Sequence, residues 1–369
     1  VITGCAVPRA KEDLTNLPNQ AVFVQQADKP LLQHDPELGW PSPELRESHP
    51  GAQKAKRFPE LQISAFPRAR PVLKIQDGCS QGCSYCIVPL TRGPSRSRPP
   101  QEILAEANRL LQAGYSELVL SGINLGQYAV ASQGMEDFWD LLPWLEARLE
   151  VSHSGRIRLR ISSLEPSLLQ AKGLQALRRS RLVCPHLHVS LQSASPEVLR
   201  RMGRDPRSAD LISEFMGELR QSWPLFGLGA DILVGFPGET EADFERTVAF
   251  CRSQPLSYGH VFVFSPRPGT RAQQMSGQLD SGLKKERSRI IRELLQKKRE
   301  AFLHRLAGES RLSVVLEDTD PAVGLCEHYA VCRFEEPLQG RQPSDLVEAK
   351  PVRPSNGGLL VSFAGGKAD

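Results

Sequence analysis

The stretch "DGCSQGCSYCIVPLTRG", Asp77–Gly93, sets three of the chain's eight cysteines within eight residues. The spacing is C-x3-C-x2-C, with Cys79, Cys83 and Cys86 as its members. The other cysteines, Cys5, Cys184, Cys251, Cys326 and Cys332, are scattered without a disulfide framework. In a reducing setting such a cluster more often binds metal than forms bridges. A closed structural zinc site wants four ligands, usually as two pairs. Here three stand together, and the next histidine along the sequence, His153, is far downstream. Three thiolates are also what an iron–sulfur cubane requires if one iron is left open. An open iron can take an exchangeable ligand, as catalytic metal sites keep a vacant position. Zinc and a plain electron-transfer cluster remain the alternatives at this point.

The loop follows the apolar run "PVLKI" (71–75), the first of six. The others are "ELVLS" (117–121), "IRLRIS" (157–162), "HLHVSL" (186–191), "ADILVG" (230–235) and "HVFVF" (260–264). Their spacing suits a strand–helix unit repeated six times. "PPQEILAEANRLLQAG" puts Ile103, Leu104, Ala107, Leu110 and Leu111 on one helical face, with proline at its start and Gly114 at its stop. "GETEADFERTVAFC" offers Thr240 as a cap with Asp243 three residues on. Alternating strands and helices imply a parallel sheet with right-handed crossovers. Six units are too few for the eight-stranded closed barrel, so the expected fold is α/β, an open partial (β/α)6 barrel. Its site belongs at the carboxyl ends of the strands, where the cysteine loop sits.

Of 369 residues, 40% are hydrophobic and 24% charged, ordinary values for a globular chain, and the net charge of +4 identifies no partner. No apolar run approaches the roughly 20 residues that span a bilayer, and no signal-peptide pattern opens the chain. A cytoplasmic location and no membrane partner are therefore expected. The chain begins at Val1 without a methionine, in what reads as a strand end, "VITGC", and so is read as a fragment. Residues 1–55 read as the tail of a domain and a linker, 65–300 as the core domain, and 308–369 as a small β-barrel. Within the last, "RLSVVLED", "HYAVCRFEE" and "GLLVSFAG" are strand-like. Between them, "SGLKKERSRIIRELLQKKREAFLHRLAG" (281–308) is a long helix. Its residues 282–306 carry nine Lys or Arg against three Glu, either a solvated outer face or an RNA-facing stripe.

The cysteine loop on a six-unit scaffold resembles the radical S-adenosylmethionine enzymes. "GCSYCIVPLTRGPSRSRPPQEIL", "LVLSGINLGQY", "RISSLEP", "CPHLHVSLQSAS", "RMGR", "DILVGFPGETEADFERT" and "HVFVFSPRPGTRA" follow in order, and together they resemble the methylthiotransferases. "GINLG", "SSLEP" and "CPHLH" match best the bacterial type acting on N6-threonylcarbamoyladenosine at position 37 of tRNA. Isopentenyladenosine in tRNA and a ribosomal protein are the alternative acceptors; a non-catalytic iron–sulfur RNA-binding protein is a remote one. The resemblance implies a [4Fe–4S] cluster on Cys79, Cys83 and Cys86, with S-adenosylmethionine on the open iron. Reductive cleavage of the sulfonium would release a 5′-deoxyadenosyl radical, which takes the adenine C2 hydrogen that acid–base chemistry cannot remove. It further implies cofactor contacts from Tyr85, Gly122, Asn124, Ser190, Gln192 and Asp231. No acid–base residue is expected beyond the cluster ligands, and His186 and His188 read as structural or site-lining. Cys5 matches the last of three cysteines holding a second [4Fe–4S] cluster in a truncated amino-terminal α/β domain. Ala194 departs from the family's glycine. The terminal module resembles the TRAM domain, which would grip the tRNA anticodon-loop region, and an electron donor such as flavodoxin or ferredoxin is expected. "GFPGET" lacks the lysine and spacing of a P-loop and reads as a turn before a helix.

Overall fold

The computed structural model describes a two-residue parallel ladder, Ile2–Thr3 with Phe23–Val24, and then residues 66–153 and 157–364. The expected amino-terminal domain and Cys5 otherwise lie outside the described residues.

Six parallel strands run in sequence order: β1 (Val72–Lys74), β2 (Glu117–Ser121), β3 (Arg158–Ile161, continued by Ser163–Leu164), β4 (His186–Gln192), β5 (Gly227–Val234) and β6 (Tyr258–Val263). Helices α1 (Val88–Arg92), α2 (Pro100–Gln112), α3 (Phe138–His153), α4 (Ala171–Arg179), α5 (Pro196–Met202), α6 (Ser208–Leu219) and α7 (Glu241–Ser253) occupy the connections. With β1 and β6 at the edges, this is the expected open partial barrel.

Side chains alternate along each strand, and the alternation divides core from site. Leu73, Leu118, Leu120, Leu159, Ile161, Leu187, Val189, Leu191, Leu228, Ala230 and Ile232 are buried in the core that also takes in the helices. The alternate positions carry Glu117, Arg158, Arg160, His186, His188, Ser190 and Asp231. A parallel sheet covered on both faces is ordinarily apolar on both. This one has a polar inner face.

After the long helix α8 (Ser281–Leu306), five strands close a barrel: β7 (Leu312–Thr319), β8 (Ala322–Cys326), β9 (Val331–Phe334), β10 (Leu346–Ser355) and β11 (Gly358–Phe363). It seats on the amino ends of the larger barrel. Arg158 donates to the carbonyls of Ser313 and Leu325 at 2.6 and 2.8 Å, and Arg160 to those of Glu327 and Cys326, both at 3.1 Å. The ring of His186 stacks on Tyr329 at 4.5 Å, and Tyr258 stacks on the same tyrosine at 5.1 Å. Both arginines converge on Glu117, at 2.6 and 2.7 Å. Burial alone would raise that carboxyl, but the guanidinium charges outweigh it and hold its pKa at about 2.

Most cations of α8 make ion pairs or hydrogen bonds within the protein. Buried Arg287 pairs with Glu239 and Glu241 at 2.8 and 2.9 Å, and Arg289 pairs with Glu286 and Glu293, both at 2.6 Å. Arg292, Lys298 and Arg299 donate to the carbonyls of Val261, Arg252 and Tyr329. Ile291 and Leu295 join the large core, while Phe302, Leu303 and Leu306 join that of the small barrel. The helix is a strut between the two.

Candidate functional site

The cysteine loop leaves β1 through Gly78, whose φ of +72° suits glycine and whose hydrogen faces the Pro94 carbonyl, where a Cβ could not fit. Gln76–Asp77 pairs antiparallel with Arg96–Ser97 and closes the loop's base. Two distant segments clamp its middle. Ser84 donates its backbone N–H to the Met202 carbonyl at 2.8 Å and its hydroxyl to that of Arg201 at 2.8 Å. From beyond β6, Ala272 N–H donates to the Ser84 carbonyl at 2.8 Å, and Arg271 donates to that of Gly82 at 2.7 Å.

Cys79, Cys83 and Cys86 are in no disulfide, and each is half-buried. The Asn124 amide nitrogen lies 3.8 Å from Cys79 Sγ, and an Arg204 guanidinium nitrogen lies 3.9 Å from Cys83 Sγ. Burial pushes the Cys83 thiol up, with Arg204 opposing. Three soft donors with N–H groups aimed at two sulfurs are the surroundings that stabilise thiolate ligands and cluster charge. The residues fit a three-cysteine iron–sulfur centre.

Around them lie the other expected residues. Gly122 ends β2 where a Cβ would meet Gln76 at 2.9 Å and Leu125 at 3.0 Å, so it is a close-approach position. The Asn124 backbone N–H donates to Gln76 Oε1 at 2.9 Å, and its side chain donates to Gln81 at 3.0 Å and accepts from Gly126 at 2.9 Å. Ser190 on β4 bonds Ser163 at 2.8 Å. Gln192, at the end of β4, holds a left-handed φ of +66°, unusual for a non-glycine. Tyr85 is packed edge-on against Phe236, centroids 6.4 Å apart, so its ring is engaged in packing. Gly235 and Gly238 take positive φ in the "GFPGET" turn before α7. Asp231 stands between His188 Nε2 at 3.0 Å and His260 Nδ1 at 3.2 Å.

Two groups escaped the sequence reading. Arg204 reaches Glu165 at 2.6 Å and the Ser190 carbonyl at 2.6 Å while facing Cys83. Both charged residues stood inside quoted motifs, "RMGR" and "RISSLEP", but nothing in either string pairs one with the other. The other is the His188–Asp231–His260 set, where the sequence suggested no dyad; three strands far apart in sequence supply it. His188 Nδ1 and His186 Nε2 each lie 2.9 Å from Tyr258 Oη.

A profile of the Radical SAM superfamily matches residues 73–251. The chain is 36% identical over 294 residues to the threonylcarbamoyladenosine tRNA methylthiotransferase of Bacillus subtilis, covering 78% of this chain and 62% of that protein. It is 34% identical over 312 residues to the protein of the same name from Thermotoga maritima, covering 84% and 69%. To the tRNA-2-methylthio-N(6)-dimethylallyladenosine synthase of Desulfitobacterium hafniense it is 36% identical over 225 residues, 61% and 49%. The chain thus spans between about half and somewhat over two thirds of these relatives. With a thiol trio matching the superfamily's pattern and this degree of identity, the chain belongs to the radical S-adenosylmethionine methylthiotransferases.

Proposed function

We propose that the protein inserts a methylthio group at C2 of N6-threonylcarbamoyladenosine at position 37 of tRNA. The observation that carries it is the clamped three-thiol loop at the carboxyl end of β1, with Arg204 and Asn124 at two of its sulfurs. The acceptor follows from relatives named for that nucleoside at 34–36% identity. A dimethylallyladenosine acceptor is the second reading, favoured by the 36% identity to the synthase named for it.

Cys79, Cys83 and Cys86 would hold a [4Fe–4S] cluster with S-adenosylmethionine at its open iron. When bound, the pair supplies one-electron cleavage of the sulfonium and hence hydrogen-atom abstraction. The chain's own part is to position and to exclude water. Gly122 lets Gln76 and Leu125 pack closely at the β2 end and so shapes the cofactor's seat, and Asn124, Ser190 and Gln192 offer polar contacts at neighbouring strand ends. Arg204 places a fixed positive charge beside the cluster. Tyr85 supports the loop from behind, and Asp231 belongs toward the acceptor. Cys5 would serve a second cluster. We divide the chain at 1–55, 65–300 and 308–369, and assign the last to tRNA, a flavodoxin- or ferredoxin-like donor to the reduction, and the cytoplasm as the location. Among the described residues no helix is long and apolar enough to cross a membrane.

Anaerobic reconstitution followed by dithionite should yield 5′-deoxyadenosine from S-adenosylmethionine; a plain RNA binder yields none. Mass analysis of tRNA nucleosides from a deletion strain then decides the acceptor. An unchanged methylthio-threonylcarbamoyladenosine signal would discard it, and loss of the dimethylallyl derivative instead would select the second reading.

A further inference from the structure

We propose that His260, with Phe262 beside it on β6, is the point where the acceptor purine docks inside the open barrel. This rests on the radical methylthiotransferase reading and specifies where its substrate sits.

The inner faces of β4, β5 and β6 carry a continuous relay: His260 Nδ1 to Asp231 Oδ1 (3.2 Å), Asp231 Oδ1 to His188 Nε2 (3.0 Å), His188 Nδ1 to Tyr258 Oη (2.9 Å) and Tyr258 Oη to His186 Nε2 (2.9 Å). A carboxylate only accepts, so the protons follow one by one. His260 carries its proton on Nδ1 and His188 on Nε2. With His188 neutral, its Nδ1 accepts from the Tyr258 hydroxyl, whose oxygen accepts from His186 Nε2–H. In that arrangement His186 Nδ1 carries no proton; it is buried with no hydrogen-bond partner. Burial, with Arg160 adding to it, also depresses the His186 pKa, so its ring stays neutral. For Asp231 burial opposes ionisation, but the two imidazoles outweigh it and the carboxyl stays below its usual range.

The outer end of the relay is His260 Nε2, on a ring whose Nδ1–H is held from behind by Asp231; in the neutral ring that nitrogen is an acceptor. The His260 side chain is 56% exposed, and Phe262, ring centroid 6.3 Å away, is 49% exposed. Both lie on the edge strand bounding the open side of the barrel. Across the gap, Val72 on the opposite edge strand is also exposed. A large apolar ring and an oriented acceptor, side by side, suit a planar heterocycle that stacks while donating an N–H or O–H. The depth is suitable too. His188 is two residues, roughly 7 Å, below Ser190, whose carbonyl Arg204 ties to the cysteine loop. By register His260 lies opposite Asp231, one residue past the Ala230–Val189 pair and so level with Ser190, and a purine held there lies near the strand ends where the cofactor is proposed to sit.

The test uses the reconstituted full-length enzyme and an anticodon stem-loop RNA carrying a photoreactive azidopurine at position 37. Crosslinking should map to the peptide containing residues 258–264. In H260A and F262L the KM for the unlabelled RNA should rise at least tenfold, kcat should fall less, and more deoxyadenosine should form per methylthio product. D231N, which frees the His260 tautomer, should shift the coupling in the same direction. Crosslinks confined elsewhere, or unaltered KM and coupling, overturn the proposal. So does a stoichiometric zinc or iron ion in a protein lacking Cys79, Cys83 and Cys86 that disappears with H260A, since His188, Asp231 and His260 place donor atoms within 4.8 Å of one another. If the wild-type enzyme makes no methylthio product while the crosslink still maps to β6, the acceptor assignment fails and the purine site stands.

Discussion

Arg204 shows how much a single side chain can link at this site. Its planar fork spans Glu165 and the Ser190 carbonyl while one nitrogen faces Cys83. A lysine retains the charge but cannot hold these partners at once. R204K should leave iron content near wild type and lower deoxyadenosine formation by about 10–100-fold, the usual cost of losing a partner that orients a metal ligand. Iron and deoxyadenosine are assayed together, and loss of iron would instead make Arg204 a requirement for cluster assembly. The cysteines were legible because three soft ligands at fixed spacing are a local pattern. Arg204 with Glu165, and His260 with Asp231, were not, because each pairing crosses 39 or 29 residues of chain.

Among the elements, α7 was readable down to its cap. Thr240 Oγ1 accepts from the Asp243 N–H at 3.2 Å, and Asp243 accepts in return from the Thr240 N–H at 3.1 Å. T240A should lower the melting temperature by a few degrees, corresponding to about 1 kcal/mol; no change would mean that other contacts alone hold the helix end. Strand β5 was read as starting at Ala230 but starts at Gly227. Glycine is depleted in strands, and here Gly227 and Gly229 are required. A Cβ on the first would run into the His328 carbonyl, and one on the second into the Tyr258 ring. The small barrel likewise hid two of its five strands. β8 contains Gly324, pressed against the Val315 carbonyl, and β10 contains Pro351 and Pro354 around a register shift. At the glycines a tertiary neighbour dictates the residue that obscures the strand.

At the scale of the molecule, the larger barrel was predictable from its six apolar runs, whereas the seating of the small barrel was not. That seam has a pH signature. His328 is buried against it, which lowers its pKa to about 4 from 6.5, with Arg160 and Arg158 adding to the effect. The folded state holds the neutral ring, so this contribution is complete above pH 6.5 and is lost as pH falls from 6.5 toward 4. The loss approaches roughly 3 kcal/mol. Melting temperature should fall across that window, and H328L should flatten the slope. An unaltered slope would mean that other buried groups govern acid sensitivity. The same seam determines reach. The cysteine loop leaves one end of the strands and the small barrel grips the other, separated by about 26 Å for the eight residues of β5. With the small barrel taking RNA as proposed, the two ends act like the jaws of a caliper: a ligand seated in both must be long and folded, so shortening a stem-loop should raise KM through lost purchase at the far jaw well before it lowers kcat.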